Sequence, residues 1–230
     1  MKYLLLIALF AFIGISTSAQ VHTGAWMRRL DTSVQYLTIV DQYFVITTFN
    51  LEEKKFYQTR GGTAEMDGKQ MTGVIEFNTT DKSEVKSSYT YNYTFIKKDL
   101  VMPIGGIEKT WTWVDDANTG LAGNWRITGR MQDGKFVTMN PGARKTIKVL
   151  SGTRFQWTAI NTDTGEFFGT GGGYYTFKDG KYSEHIEFFS RDATRVGSSL
   201  SFDASIKDGN WHHSGNSSKG DPIFEIWSRK

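Results

Sequence analysis

Thr170-Gly171-Gly172-Gly173-Tyr174-Tyr175-Thr176-Phe177-Lys178-Asp179-Gly180-Lys181-Tyr182-Ser183-Glu184-His185-Ile186-Glu187-Phe188 reads as strand, tight turn, strand. Asp179-Gly180 between two runs rich in aromatic and β-branched residues is the signal of a two-residue hairpin turn. Lys207-Asp208-Gly209-Asn210 repeats that logic before Trp211. In Phe155-Gln156-Trp157-Thr158-Ala159 apolar and polar side chains alternate, the period of a strand with one buried face. The glycine run invites a phosphate-loop reading, but the Lys-Ser/Thr and the helix that must follow are absent. Glycines inside a strand instead permit a bulge or a sharp bend.

The same pattern occurs twice. Laying Phe44 on Phe155 brings Ile46 onto Trp157, Thr47 onto Thr158, Asn50 onto Asn161 and Phe56 onto Phe167. It also brings Thr59 onto Thr170, Gly61-Gly62 onto Gly172-Gly173 and Ile75-Glu76-Phe77 onto Ile186-Glu187-Phe188. Upstream, Gly24-Ala25-Trp26 answers Gly123-Asn124-Trp125. Matches that keep one order over most of a chain indicate duplication of a structural unit. The copies meet near Asp115-Asp116-Ala117-Asn118-Thr119-Gly120, a polar stretch with no apolar period. Many short strands at regular spacing in each copy, and no convincing amphipathic helix, indicate an all-β chain of two tandem small antiparallel barrels.

The ends and composition bound the rest. Met1-Lys2, an apolar run from Tyr3 to Ile15 and the small residues Thr17 and Ala19 form a secretory signal peptide, residues 1–19. The run is too short for a membrane span, which needs roughly 20 apolar residues, and no later stretch is longer. The expected units are then residues 20–116 and 121–230. There is no cysteine, so neither a lipid-modified N-terminal cysteine nor a disulfide is available. A formal net charge of +3, one unit of it from Lys2, argues against nucleic acid or an anionic membrane as partner.

The paired Gly-x-Trp and the closing Glu225-Ile226-Trp227-Ser228-Arg229-Lys230 resemble the lipocalin-like (calycin) pattern. Tyr182 to Asp192, Trp211-His212-His213-Ser214-Gly215 and Ser217 to Pro222 resemble a lipocalin-like family of exported bacterial proteins of unknown function. The resemblance implies a barrel whose base is closed by a first-strand Trp under a basic residue from the last strand. Here the implied pairs are Trp125 with Arg229 and Trp26 with Lys109. It implies no activity.

Candidate functional residues concentrate in the second copy. His185 and Glu187, two apart on a strand, are expected on one face. Glu187 has a counterpart in Glu76, which suggests a shared structural contact, whereas His185 stands where the first copy has Val74. His212 and His213 are adjacent and point to opposite faces of a strand, so both do not serve one metal. A catalytic zinc site would need His185, Glu187 and one of that pair to converge. Ser190, His185 and Asp192 can be written as a triad, but nothing resembles a nucleophile elbow. Trp157, Tyr174, Tyr175 and Trp211 with Arg154 and Arg191 are candidates for a pocket lining, while aromatics also serve to fill a small cysteine-free core.

The expected function is non-catalytic: an exported, periplasmic or secreted protein that binds a small hydrophobic or amphipathic ligand of lipid or glycan type. The expected site is the C-terminal barrel, through Trp157, Tyr175, His185, Glu187, Arg191, Trp211 and His213, with no metal or cofactor assigned. Two alternatives stand beside it. One is a surface or complex-building interaction module. The other is a hydrolase or metal-dependent enzyme using His185, Glu187 and His212 or His213.

Overall fold

The computed structural model describes residues 23–104, 106–217 and 219–229. The expected signal peptide lies outside them. The first copy forms β1 (Gly24–Leu30), β2 (Ser33–Val40), β3 (Tyr43–Asn50), β4 (Lys55–Met66), β5 (Gln70–Asn78), β6 (Ser88–Asn92), β7 (Thr94–Ile96), β8 (Asp99–Ile104) and β9 (Ile107–Asp115). The second forms β10 (Gly123–Gln132), β11 (Lys135–Thr138), β12 (Arg144–Leu150), β13 (Arg154–Asn161), β14 (Glu166–Lys178), β15 (Lys181–Phe189), β16 (Ser199–Lys207), β17 (Asn210–Asn216) and β18 (Pro222–Arg229). Each copy is one antiparallel sheet. Among the described residues the helical content is two 3-10 turns, Lys82–Glu84 and Ala193–Arg195, each capped by an aspartate, Asp81 and Asp192.

Turn chemistry explains the hairpins. Asp133-Gly134, Asp179-Gly180 and Asp208-Gly209 all hold positive φ at both positions, the geometry that matches strand twist. In the second copy β10 also pairs with β18, with Trp125 opposite Arg229, and so closes an eight-stranded barrel with β11 outside the ring. The first sheet curls into a nearly closed barrel whose ends are β6 and β7. Tyr89, Tyr91, Tyr93 and Phe95 pack inward there against Trp26, Leu100 and Trp111.

At the base of the second barrel the Arg229 guanidinium lies 4.7 Å from the Trp125 ring centre and donates to Ala122 O at 2.6 Å. The pair implied for the first copy is different. Trp113, not a basic residue, stands opposite Trp26, and it is Lys98 whose ammonium lies over Trp113 at 3.9 Å. Trp26 Nε1 donates to Lys98 O at 2.9 Å, and Lys109 stands opposite Met102, at the position of Glu225 in the second barrel and not at that of Arg229.

The shared glycines and the shared Ile-Glu-Phe belong to one device. Gly61 faces Phe77 and Gly62 faces Ile75, which leaves Glu76 as an extra, bulged residue. Gly172 faces Phe188 and Gly173 faces Ile186, leaving Glu187 in the same position. A bulge breaks strand alternation, so Phe77 and Phe188 turn out of their barrels beside the glutamates. The glycines make room for this. A Cβ on Gly62 would lie 1.8 Å from Val74 O, and one on Gly173 1.9 Å from His185 O.

These out-turned residues join the two barrels through a pseudo-twofold interface. The Phe56 and Phe167 rings stack with planes 6° apart, Phe49 meets Phe188 at 4.9 Å, and Phe77 packs with Ile147, Val149 and Ile160. Gln156 Nε2 donates to Thr59 Oγ1 at 3.0 Å across the contact. Glu76 accepts from Tyr43 OH at 2.7 Å and from Lys145 Nζ of the other barrel at 2.6 Å. At the equivalent position Glu187 pairs with Arg154, whose guanidinium also lies over Tyr36 of the first barrel at 3.9 Å. Each interface carboxylate therefore receives a cation, supplied both times by the second copy. Asp115 at the end of β9 ties the linker down, accepting from Ser151 Oγ, Gly152 N and Thr153 N of the β12–β13 turn.

Gly173→Ala should cost roughly 3 kcal/mol, because carbonyl backbone and not a mobile side chain occupies the space. Gly142→Ala, with nothing within 4 Å of the added methyl, should stay within about 0.5 kcal/mol. Urea denaturation of the two variants checks this, and equal midpoints would remove the bulge from its structural role.

Candidate functional site

The seven residues expected at one site are distributed over five places. Tyr175 is built into the barrel base, 3% exposed, bonded to Ser151 O at 2.6 Å and Thr119 Oγ1 at 2.8 Å. Trp157 points into the opposite end of the barrel, edge-on to Phe189 at 5.4 Å. Exposed Arg191 is beside it, with its Nε 3.4 Å and the Trp157 ring edge 3.5 Å from where a Gly169 Cβ would sit. His185 lies on the outer wall, stacked on half-exposed Tyr174 at 4.7 Å and hydrogen-bonded to Ser199 Oγ at 2.9 Å. Glu187 is the interface carboxylate already described. Only Trp211 and His213 meet in the interior, 5.2 Å apart ring to ring.

His212 points to the outside of β17, edge-on to Phe224 at 6.1 Å. His185, Glu187 and His213 therefore do not converge, and the enzymatic alternative loses the geometry it requires. Among the described residues no three His, Asp or Glu side chains come together as a set of metal ligands.

The interior of the second barrel holds instead a group of charges that composition did not disclose. Lys148 projects inward from β12, with its ammonium 2.8 Å from Glu184 Oε1 and both side chains buried. The ammonium sits 5.1 to 5.2 Å from the ring centres of Tyr182, Trp211 and Trp227, an aromatic surround that favours a cation. His213 Nδ1 lies 3.3 Å from Glu225 Oε2, which also accepts from Trp227 Nε1 at 3.0 Å. Trp211 Nε1 and His213 Nε2 are buried and make no hydrogen bond, while the Tyr182 hydroxyl is turned toward the Glu184 carboxylate. Burying polar groups unpaired costs about 1–3 kcal/mol each, which makes two side by side a feature needing a cause.

Burial sets the protonation states. It lowers the His213 imidazole from its ordinary value, the nearby Lys148 charge adding to this against the pull of Glu225. It raises the Tyr182 phenol far above the usual range, with the Glu184 carboxylate pushing the same way. Burial also pushes Glu225 upward, but the His213 hydrogen bond and the Lys148 charge outweigh it and hold the carboxyl low. At neutral pH His213 and Tyr182 are thus neutral and Glu225 is ionised.

The rim of this barrel at the end away from Trp125 is only partly buried. Trp157, Leu200, Ile223 and Met139 pack against the core yet are only partly buried, and the Glu225 side chain keeps 22% of its exposure. The first copy keeps a charged residue only at the Glu225 position, Lys109, and also buries Trp111 Nε1 without a hydrogen bond. At the positions of Lys148, Tyr182, Glu184, Trp211 and His213 the ladder places Leu37, Met71, Gly73, Leu100 and Met102. The readable signal for Lys148 was its place on the inward period of Thr146-Ile147-Lys148-Val149-Leu150. Glu184 likewise shares the face of Tyr182.

No family model matches this chain, and no curated protein matches it. Among solved structures it aligns with an uncharacterized protein from Saccharomyces cerevisiae at 12% identity and a TM-score of 0.47, over 89% of this chain and 98% of that one. Among the described residues no helix is long and apolar enough to cross a membrane.

Because the folded-state pKa of His213 is depressed, the unfolded chain takes up the proton first as pH falls. The neutral form's contribution is complete above about pH 6.5 and is lost below it. Thermal melts should therefore show a larger drop in Tm from about pH 7.5 to about pH 5.5 for wild type than for His213→Met, which copies the first barrel. Parallel drops would show that His213 is not held neutral by the fold.

Proposed function

We propose that the protein is an exported, non-catalytic binding protein of lipocalin-like type whose C-terminal barrel takes a small amphipathic ligand. The observation that carries this reading is the pair Trp211 Nε1 and His213 Nε2, buried without partners beneath the partly buried Leu200, Ile223, Met139 and Trp157. A ligand's polar end satisfies such atoms, and its apolar part covers Leu200, Ile223, Met139 and Trp157. A purely structural core gains little from Lys148, Tyr182 and His213 where its duplicate manages with Leu37, Met71 and Met102. Lipid or glycan-type molecules with one polar end match that lining. Export rests on the N-terminal pattern of Lys2, the apolar run to Ile15 and Ala19.

Native mass spectrometry of the full chain purified from its own host tests both parts. The mature chain is expected to begin at Gln20 and to carry a small organic molecule in near-unit ratio. Ile223→Arg, which charges the entrance, should release that molecule without changing the circular dichroism spectrum. A bare mass for wild type, together with unchanged tryptophan fluorescence on adding fatty acids and lysolipids, would overturn the binding reading. A mature chain retaining Met1 would overturn export.

A further inference from the structure

The other end of the duplication holds a second opening. Arg28, Gln35, Thr48, Arg60, Asn78 and Glu84 line a cavity of about 310 Å³ in the mouth of the first barrel, at the small end of ligand pockets. The ladder gives their counterparts in the second barrel. Thr146 replaces Gln35, Ala159 replaces Thr48, Gly171 replaces Arg60 and Phe189 replaces Asn78. Trp157, in the place of Ile46, fills the corresponding space. The polar ring is therefore a property of one copy and not of barrel construction.

Its charges are not equally engaged. Glu84 Oε2 accepts from Asn78 Nδ2 at 2.7 Å and lies 3.9 Å from Arg60. Asp81 caps the adjoining 3-10 turn, accepting from Ser83 N at 2.9 Å and Ser83 Oγ at 2.6 Å. Arg28 is different. Its Nε donates to Gln35 Oε1 at 2.8 Å, Gln35 Nε2 donates in turn to buried Thr48 at 2.8 Å, and the guanidinium lies 5.0 Å over Trp111. Among the described residues no carboxylate lies within 4.0 Å of it. A chain of hydrogen bonds thus fixes the plane of a guanidinium while leaving its paired N–H groups without a counter-ion. That is how a bidentate oxyanion receptor is built.

We propose that the first barrel's mouth binds the oxyanion group, carboxylate or phosphate, of a small molecule, with Arg28 as the receptor and Arg60 as a second donor at the rim. Gln35 acts as a positioning residue through Arg28. This site lies in the other barrel from the amphipathic-ligand site and does not depend on it.

Titration of 15N-labelled protein with sodium phosphate, and separately with sodium citrate, tests the proposal at an ionic strength held constant with sodium chloride. The side-chain amide signals of Gln35 and Asn78 should shift saturably, while the Trp157 and Trp211 indole signals stay in place. Arg28→Gln should weaken binding of the tighter anion at least tenfold, and Arg60→Gln at least threefold. Shifts no larger than sodium chloride alone produces would overturn the proposal, as would equal affinity in Arg28→Gln. Should Arg28→Gln fail to fold, unchanged affinity in Arg60→Gln overturns it. Phosphate and citrate binding with equal loss in Arg28→Gln identifies a general oxyanion site, and binding of one alone identifies which group it takes.

Discussion

The β-bulge opposite a glycine pair is the constraint on which the rest of this molecule depends. One extra residue in β5 and in β15, opposite Gly61-Gly62 and Gly172-Gly173, breaks the alternation of each strand. It delivers a glutamate and a phenylalanine to the outside of each barrel, where an unbroken strand would have sent the phenylalanine inward. Those residues are what the barrels share. Phe77 and Phe188 form the apolar part of the contact, and Glu76 and Glu187 take its two buried cations, Lys145 and Arg154. The interface thus follows from a backbone feature placed once and inherited twice.

The pseudo-twofold relation has a consequence for electrostatics. Tyr43 and Arg154 are equivalent, as are Val34 and Lys145, so the cation beside each glutamate comes from a different structural position. At Glu187 it is supplied within the barrel, and at Glu76 across the contact. Charge neutrality at a desolvated interface is kept although the symmetry of the residues is not. This asymmetry locks the two copies into distinct roles, since neither can replace the other at the contact.

The barrels also divide their polar chemistry by depth. The second carries its charges in the middle, around Lys148 and Glu184, beneath Trp157 and Phe189. The first is apolar in the middle, with Leu37, Met71, Leu100 and Met102 among aromatic rings, and polar at the mouth, around Arg28 and Arg60. Duplication frees one copy's interior from the demands met by the other.

Much of this architecture was legible in the residues. Period-two alternation in β13, the Asp-Gly turns and the repeat through Gly61-Gly62 and Gly172-Gly173 specify strands, hairpins and duplication, because each is a local property of the backbone. The shared Glu76 and Glu187 marked a structural contact for the same reason. The candidate site was less legible. His185 and His213 look alike in sequence, yet one faces solvent and the other is 2% exposed. Lys148, Glu184 and Arg28 carry no motif at all. What made them a cluster or a receptor is the closure of the sheet, which brings residues from β10, β12, β15, β17 and β18 within a few ångströms. Sequence determined the strands and their number of copies through short-range sterics. Tertiary structure alone decided which charges are buried and which polar atoms lack partners, because burial and pairing are set by neighbours distant along the chain.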